Sequence, residues 1–440
     1  MTGMLWRALA CAVLVALAMP ALAQMQTVSS DAKHLGVQSC AGNNCHGAVE
    51  RLPGSHVPQN EYFIWSQKDK HAQAYAVLSN DRSKRIAKNL GLADATTAPL
   101  CLDCHADNVP PERRGPQFQL SDGVGCEACH GAAQTWLGTH LSGYDHKANL
   151  AAGMYPTDQP TARAVKCMGC HVGDHQRFAT HTLMGAGHPP TPFELDTYTA
   201  IEPAHFVVDD SYVARKGRPN DMAIWAVGQA VAVKLRMDLI LDSAHAPKGL
   251  NLELSLFDCQ SCHHSMQELQ WRSRTSTGLP PGHIKFFDAN AVMLAIAAGH
   301  VNGDAGKTLM PHMIALQAAL GKDWDAVKGE ANAIRTIADQ LIPQLAAHDW
   351  TRADAISLAH TVVVSALDGN DLDYSGAQQQ VMALGSVVAA MKALGFADGQ
   401  QLAALNDAMG PLYAAVADDQ KYDPDAYVAA LKAFYDKVPQ

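Results

Sequence analysis

CEACH, at Cys126–His130, decides how this chain is built, because the same pattern returns four more times. The copies read CAGNNCH (Cys40, Cys45, His46), CLDCH (Cys101, Cys104, His105), CMGCH (Cys167, Cys170, His171) and CQSCH (Cys259, Cys262, His263). Together they use every cysteine of the chain except Cys11. Cys-x-x-Cys-His is the attachment signature of c-type haem. Two thiols add across the porphyrin vinyl groups, and the adjacent imidazole reaches the iron. Histidine is 21 of 440 residues. A histidine after all five cysteine pairs therefore has chance odds on the order of one in a few million. A zinc knuckle does not demand that histidine, and a thioredoxin-type dithiol needs one motif rather than five. The first copy has a longer loop, in which Gly42 and two asparagines can bulge while Cys45 and His46 stay adjacent. The expected cofactors are five covalently bound haem c groups, held by the ten cysteines, with His46, His105, His130, His171 and His263 as proximal iron ligands.

The compartment agrees with this chemistry. Residues 1–23 read as a secretory signal peptide: Arg7 in a short basic start, an apolar stretch through Met19, and Ala21-Leu22-Ala23 as the cleavage site. The mature chain is expected in the periplasm. The segment Asp221–Ser243 is apolar but carries Lys234, Arg236 and Asp238, so it reads as a core helix rather than a membrane span. A formal net charge of −10 argues against nucleic acid as a partner. The expected partners are redox proteins of the periplasm or inner membrane.

The fold class expected is mainly α: a multihaem cytochrome region with little regular sheet, over residues 24–280, then an α-helical domain over 281–440. The first region is rich in Gly, Pro, Asn and His and poor in long periodic runs, and porphyrins can replace much of a side-chain core. The motif spacings are irregular, so there is a repeated chemistry and no repeat array. After Pro280-Pro281-Gly282 the cysteines stop and alanine-rich segments of helical period begin. Candidate helices run near Ala289–Gly299, Thr308–Leu320, Trp324–His348, Arg352–Leu367, Ser375–Leu394, Gly399–Val416 and Asp425–Lys437. Ile334, Ile337, Leu341 and Leu345 show the apolar stripe. This is enough chain for a core of its own, or it packs as one unit with the haem region.

An iron with one histidine keeps an open position. A second histidine makes it an electron carrier, and an empty position makes it a site for small molecules. His71, in WSQKDKHAQAY, reads as lying on a helix, and His140 follows the third motif closely. His181 and His188 bracket THTLMGAGH after the fourth motif, with Met184 between them read as packing. His34 and His56 flank the first motif, and His205 follows a proline-led turn. His264 sits too close to His263 to reach the far face of the same iron. His300, His312, His348 and His360 lie in the cysteine-free part and read as ordinary helix residues.

The order of motifs resembles the cytochrome c-554 family of multihaem cytochromes over roughly residues 34–190. The features that carry the resemblance are the first motif, then Trp65 and His71 in W…HAQA, CLDCH, GVGCEACHG (Gly123–Gly131), Gly138 to His140, and CMGCH. The resemblance implies that His71 and His140 are distal ligands. It also implies an iron without a sixth protein ligand on Cys101, Cys104 and His105. The fifth motif and the helical C-terminal part have no counterpart in it.

Two functions follow. One is electron transfer through closely packed haems. The alternative is a multihaem oxidoreductase acting on a small nitrogen or sulfur oxo-compound at an open iron beside His105, with Asp103, Asp107, Arg113 and Arg114 nearby to steer or protonate an anion. The ordinary reading of Arg113 and Arg114 is a solvated turn or a pairing with haem propionates. No acid–base or nucleophilic constellation is visible, which favours electron transfer.

Overall fold

The computed structural model describes residues 31–143, 145–244, 253–263, 279 and 283–439. The signal-peptide reading of residues 1–23, the Pro280-Pro281-Gly282 boundary and His264 lie outside them. The described chain is mainly helical and, among the described residues, has no strand; isolated bridges join His34 with Arg114 and Phe257 with Phe286.

The first half consists of short helices joined by turns: α1 (Glu61–Lys68), α2 (Asp81–Asn89), α3 (Pro99–His105), α4 (Cys126–His130), α5 (Ala133–Leu141), α6 (His146–Ala151), α7 (Pro160–His171), α8 (His181–Gly185), α9 (Leu195–Ile201) and α10 (Asp210–Lys216). Their ends are set by local chemistry. Pro99 and Pro160 open α3 and α7 at the position where a missing N–H costs nothing. The stretch holding His71 is not one helix. Asp69 leaves α1 in an extended conformation, and its carboxylate accepts from the His71 N–H, so a separate 3₁₀ turn Lys70–Gln73 begins there.

The second half is a bundle of long helices: α11 (Asp221–Leu241), α12 (Ala289–Ala298), α13 (Gly303–Ala319), α14 (Trp324–Ala347), α15 (Arg352–Leu367), α16 (Tyr374–Ala393), α17 (Gly399–Ala415) and α18 (Pro424–Tyr435). Helix α11 is its axis, packed on α14, α12 and α16, and also on α7 and α9. No helix among the described residues is long and apolar enough to cross a membrane. Burial of nearly every residue from Met222 to Val233 is met by protein instead. Ile334, Leu341 and Leu345 are fully buried on α14, while Ile337 packs at the rim.

The core does not break near residue 280. One continuous apolar cluster runs from Ala164 and Met168 on α7, through Phe193, Leu195 and α11, to Phe434 on α18. A buried amide network ties the same parts together. Gln229 on α11 donates to Gln379 on α16 (3.1 Å), Asn290 on α12 donates to Gln229 (2.8 Å), and Gln379 donates to the Phe193 carbonyl (3.3 Å). The fourth motif is thus built onto the bundle.

Candidate functional site: five paired imidazoles

Three motifs close a helix, so that the histidine is its last residue: His105 on α3, His130 on α4 and His171 on α7. The first motif follows a 3₁₀ turn, Val37–Ser39, and the fifth lies on another, Cys259–Ser261. The fifth is docked on the bundle. The Gln260 side chain accepts from the Tyr374 N–H at the start of α16 (3.0 Å), and Asp258 accepts from the Ser375 hydroxyl (2.9 Å). Cys259 and Cys262 are exposed, unlike the other eight cysteines, and none of the ten is in a disulfide.

Each motif histidine faces a second imidazole from outside the motifs. The ring centres are 6.0 Å apart for His46 and His140, 6.2 Å for His171 and His71, 6.3 Å for His105 and His188, 6.3 Å for His130 and His205, and 6.2 Å for His263 and His181. Among the described residues, every histidine–histidine ring contact is of this kind. An imidazole–metal bond of about 2.0 Å, plus about 1.1 Å from nitrogen to ring centre, places two rings on one iron about 6.2 Å apart. The residues present therefore fit haem iron held from both sides. His188 stands where the resemblance implied an open position.

Hydrogen bonds fix which nitrogen is free on four of these rings. His105 Nδ1 lies 2.8 Å from the Ala74 carbonyl, and His188 Nδ1 lies 2.8 Å from the Pro189 carbonyl. A carbonyl only accepts, so both Nδ1 atoms carry the proton and both Nε2 atoms keep a lone pair. His46 Nδ1 meets Glu61 at 3.0 Å, and His71 Nδ1 meets Asp69 at 3.0 Å. Such carboxylate partners orient a metal-bound histidine and raise its basicity. These hydrogen bonds raise the pKa of His46 and of His71. Burial lowers His140 and His188, and pushes His130 and His171 down to about 4, which keeps both neutral as ligation requires. Donor atoms of Asp69, His71 and Glu202 lie within 4.8 Å of one another. With Asp69 engaged at Nδ1, this group is the acidic surround of the His71 ring.

Three residues of the string GVGCEACHG, Gly123, Val124 and Glu127, have structural tasks. Gly123 has φ +72°, and a Cβ there would stand 2.7 Å from the His71 carbonyl oxygen. Val124 N–H donates to that carbonyl (3.0 Å), and the Trp65 indole donates to the Val124 carbonyl (3.0 Å). The glycine-rich turn thereby clamps the segment that presents His71. Glu127, buried inside the third motif, accepts from the backbone N–H groups of Leu35 (2.8 Å), Gly36 (2.7 Å) and Ala133 (2.6 Å). It binds the approach to the first motif onto the third.

Cysteines of different motifs also neighbour one another: the Cys126 thiol lowers the pKa of Cys40. The Cys104 thiol, and then the Arg177 charge, hold Cys170 down at about 7 against burial. Burial, followed by the nearby Cys167, pushes Cys129 up to about 12. Tyr155 links the same two motifs: its N–H donates to the His130 carbonyl (2.9 Å), and its hydroxyl to the Ala162 carbonyl on α7 (2.8 Å).

The polar residues weighed for substrate steering are engaged in structure. Asp107 pairs with His34 at 2.6 Å, and Asp103 accepts from Asn108 at 2.7 Å. Arg113 and Arg114 donate to the Ala32 and Val109 carbonyls. His300, His312 and His360 hydrogen-bond to Asp354, Glu330 and the Pro439 carbonyl, and His56 is exposed. The sequence reading did not favour His205. Its only signal was Pro203, which stops α9 at Ile201 and turns the chain toward the third motif.

Residues 39–131 match the family described as cytochrome c554 and c-prime. The match spans the first three motifs and ends at Gly131, short of the fourth motif and of residue 190. No curated protein and no solved structure matches the chain.

Proposed function

We propose that this chain is a periplasmic pentahaem c-type cytochrome that transfers electrons through closely packed haems. The observation that carries the reading is the set of five paired imidazoles, one pair for every Cys…Cys-His motif. Haem c held by two imidazoles supplies one-electron redox chemistry at low potential relative to His/Met ligation. The ten cysteines hold the porphyrins, and His46, His105, His130, His171 and His263 hold the irons from one side. His140, His71 and His205 complete the first, fourth and third irons.

The contacts between motifs support an order of attachment sites. The first joins the third through Glu127 and the Leu35 and Gly36 N–H groups, the third joins the fourth through Tyr155 on the His130 and Ala162 carbonyls, and the fourth meets the second where the Cys170 thiol donates to the Asp103 carbonyl (3.9 Å). Five pairs leave no motif histidine facing an empty position. This supports electron transfer over the reading as an oxidoreductase on a small nitrogen or sulfur oxo-compound, which needs an open iron.

Intact mass and EPR of the purified, oxidised protein test this. The expected result is five haems per chain with low-spin iron only. Four haems, or a high-spin component in the unmodified protein, would overturn the pentahaem bis-histidine reading.

A further inference from the structure

We infer that residues 181–188 are a single ligand strap serving two irons: His188 completes the iron of His105, and His181 completes the iron of His263. This rests on the haem reading above and adds to it where the fifth haem joins the array. His71, His140 and His205 each come from a separate segment and serve one motif. The strap alone carries two facing imidazoles, 6.3 Å from His105 and 6.2 Å from His263. Residues His181–Gly185 are helical, so the two Cα atoms lie within about 16 Å of each other. The second and fifth attachment sites are therefore neighbours. With the order above, the fifth is the end of a series running first, third, fourth, second, fifth.

The strap is anchored along its length, as a ligand carrier needs to be. At its start the His181 N–H donates to Glu253 (2.8 Å), which also accepts from the Ser255 hydroxyl (2.6 Å), and Thr180 caps α8. In the middle, Leu183 and Ala186 are buried against Ile86 of α2. At its end Arg82 donates twice to the Gly187 carbonyl (3.0 and 2.9 Å), and Asn89 donates to the Ala186 carbonyl (3.0 Å). Gly187 has φ +119°, a conformation that lets the chain reverse and present His188. The proton on Nδ1 of both His188 and His105 leaves Nε2 as the ligating atom on each.

The test uses full-length holoprotein carrying His188→Ala, His181→Ala or both, with His56→Ala as an exposed control. Readouts are haem count by intact mass, EPR of the oxidised form, and carbon monoxide binding to the reduced form. The strap predicts five haems throughout. It predicts one high-spin iron and one equivalent of carbon monoxide in each single variant, two in the double variant, and none in the control. Five haems with unchanged EPR and no gas binding in His188→Ala or His181→Ala would overturn the strap and leave the pentahaem reading standing. Fewer than five haems in the unmodified chain would overturn that reading instead.

Discussion

The two halves of the molecule solve the problem of a core in opposite ways. From α12 to α18 a continuous apolar cluster is buried chiefly by helices, with Trp350 and Tyr422 added from the connections. Around the second motif, and between α2 and α8, the buried apolar side chains form two small groups: Leu78, Ala87, Ala95, Leu102 and Ala106 in one, Ile86, Leu183 and Ala186 in the other. Clusters this small do not offset the conformational entropy of so many ordered residues. What holds that half are polar ties between distant segments, such as Glu127, and the haems it is proposed to carry. The difference teaches that stability in the first half is a property of anchors, and in the second of packed volume. The fourth motif belongs to both, because Met168, inside CMGCH, is part of the bundle core.

The largest effect is expected where an anchor is removed. In Glu127→Gln, one acceptor oxygen becomes an NH₂ donor facing the N–H groups of Leu35, Gly36 or Ala133. The clash and the lost bond cost about 3 kcal/mol. Denaturation followed by haem absorbance reads the loss. An unchanged midpoint would mean that the first and third motifs are joined by the porphyrins alone.

Next come two truncations of similar size with different readouts. Leu341→Ala, in the middle of α14, and Met168→Ala, in the fourth motif, each empty a fully buried site and cost about 3 kcal/mol. Circular dichroism should report both. Only Met168→Ala should alter the haem spectrum, since Met168 lies between Cys167 and Cys170. If Leu341→Ala altered it equally, the halves would be one cooperative unit and the contrast would fail.

The bundle was legible in the sequence because its information is local. Helical period, with caps at Thr351, Asp373 and Asp398, places α15, α16 and α17 within a residue of their expected bounds. Helix α13 begins at Gly303, ahead of the expected Thr308, because Asn302 caps it by accepting from the Ala305 N–H. The proximal side of the candidate site was legible for the same reason: cysteines and histidine are adjacent. On the facing side His71, His140, His181 and His188 stood out by context, but the motif that each of His181 and His188 faces, and the place of His205, did not. His188 meets His105, and His205 meets His130, across several intervening short helices whose relative placement no periodicity encodes. The helix expected around His71 failed on one residue, Asp69, whose carboxylate prefers to cap a new turn than to continue the old one.

The smallest effect, and the only gain, is expected at the seam between the halves. Asp196 on α9 is buried, and its pKa is raised well above the ordinary carboxylate range, first by burial and then by Glu194 and Asp221. A folded chain that holds this proton more tightly than the unfolded chain is most stable at low pH. It loses that stability as pH rises from the ordinary pKa toward the raised one. At neutral pH the native protein therefore carries a cost that Asp196→Asn removes, while the amide can still reach Ser386 and Asp221, the partners of the native carboxylate. Thermal unfolding should show the variant more stable at neutral pH, with the gap closing as pH falls through the raised pKa of Asp196. A gap that persisted unchanged into acid would mean that the gain comes from packing against Ser386, and that the seam holds no stored charge.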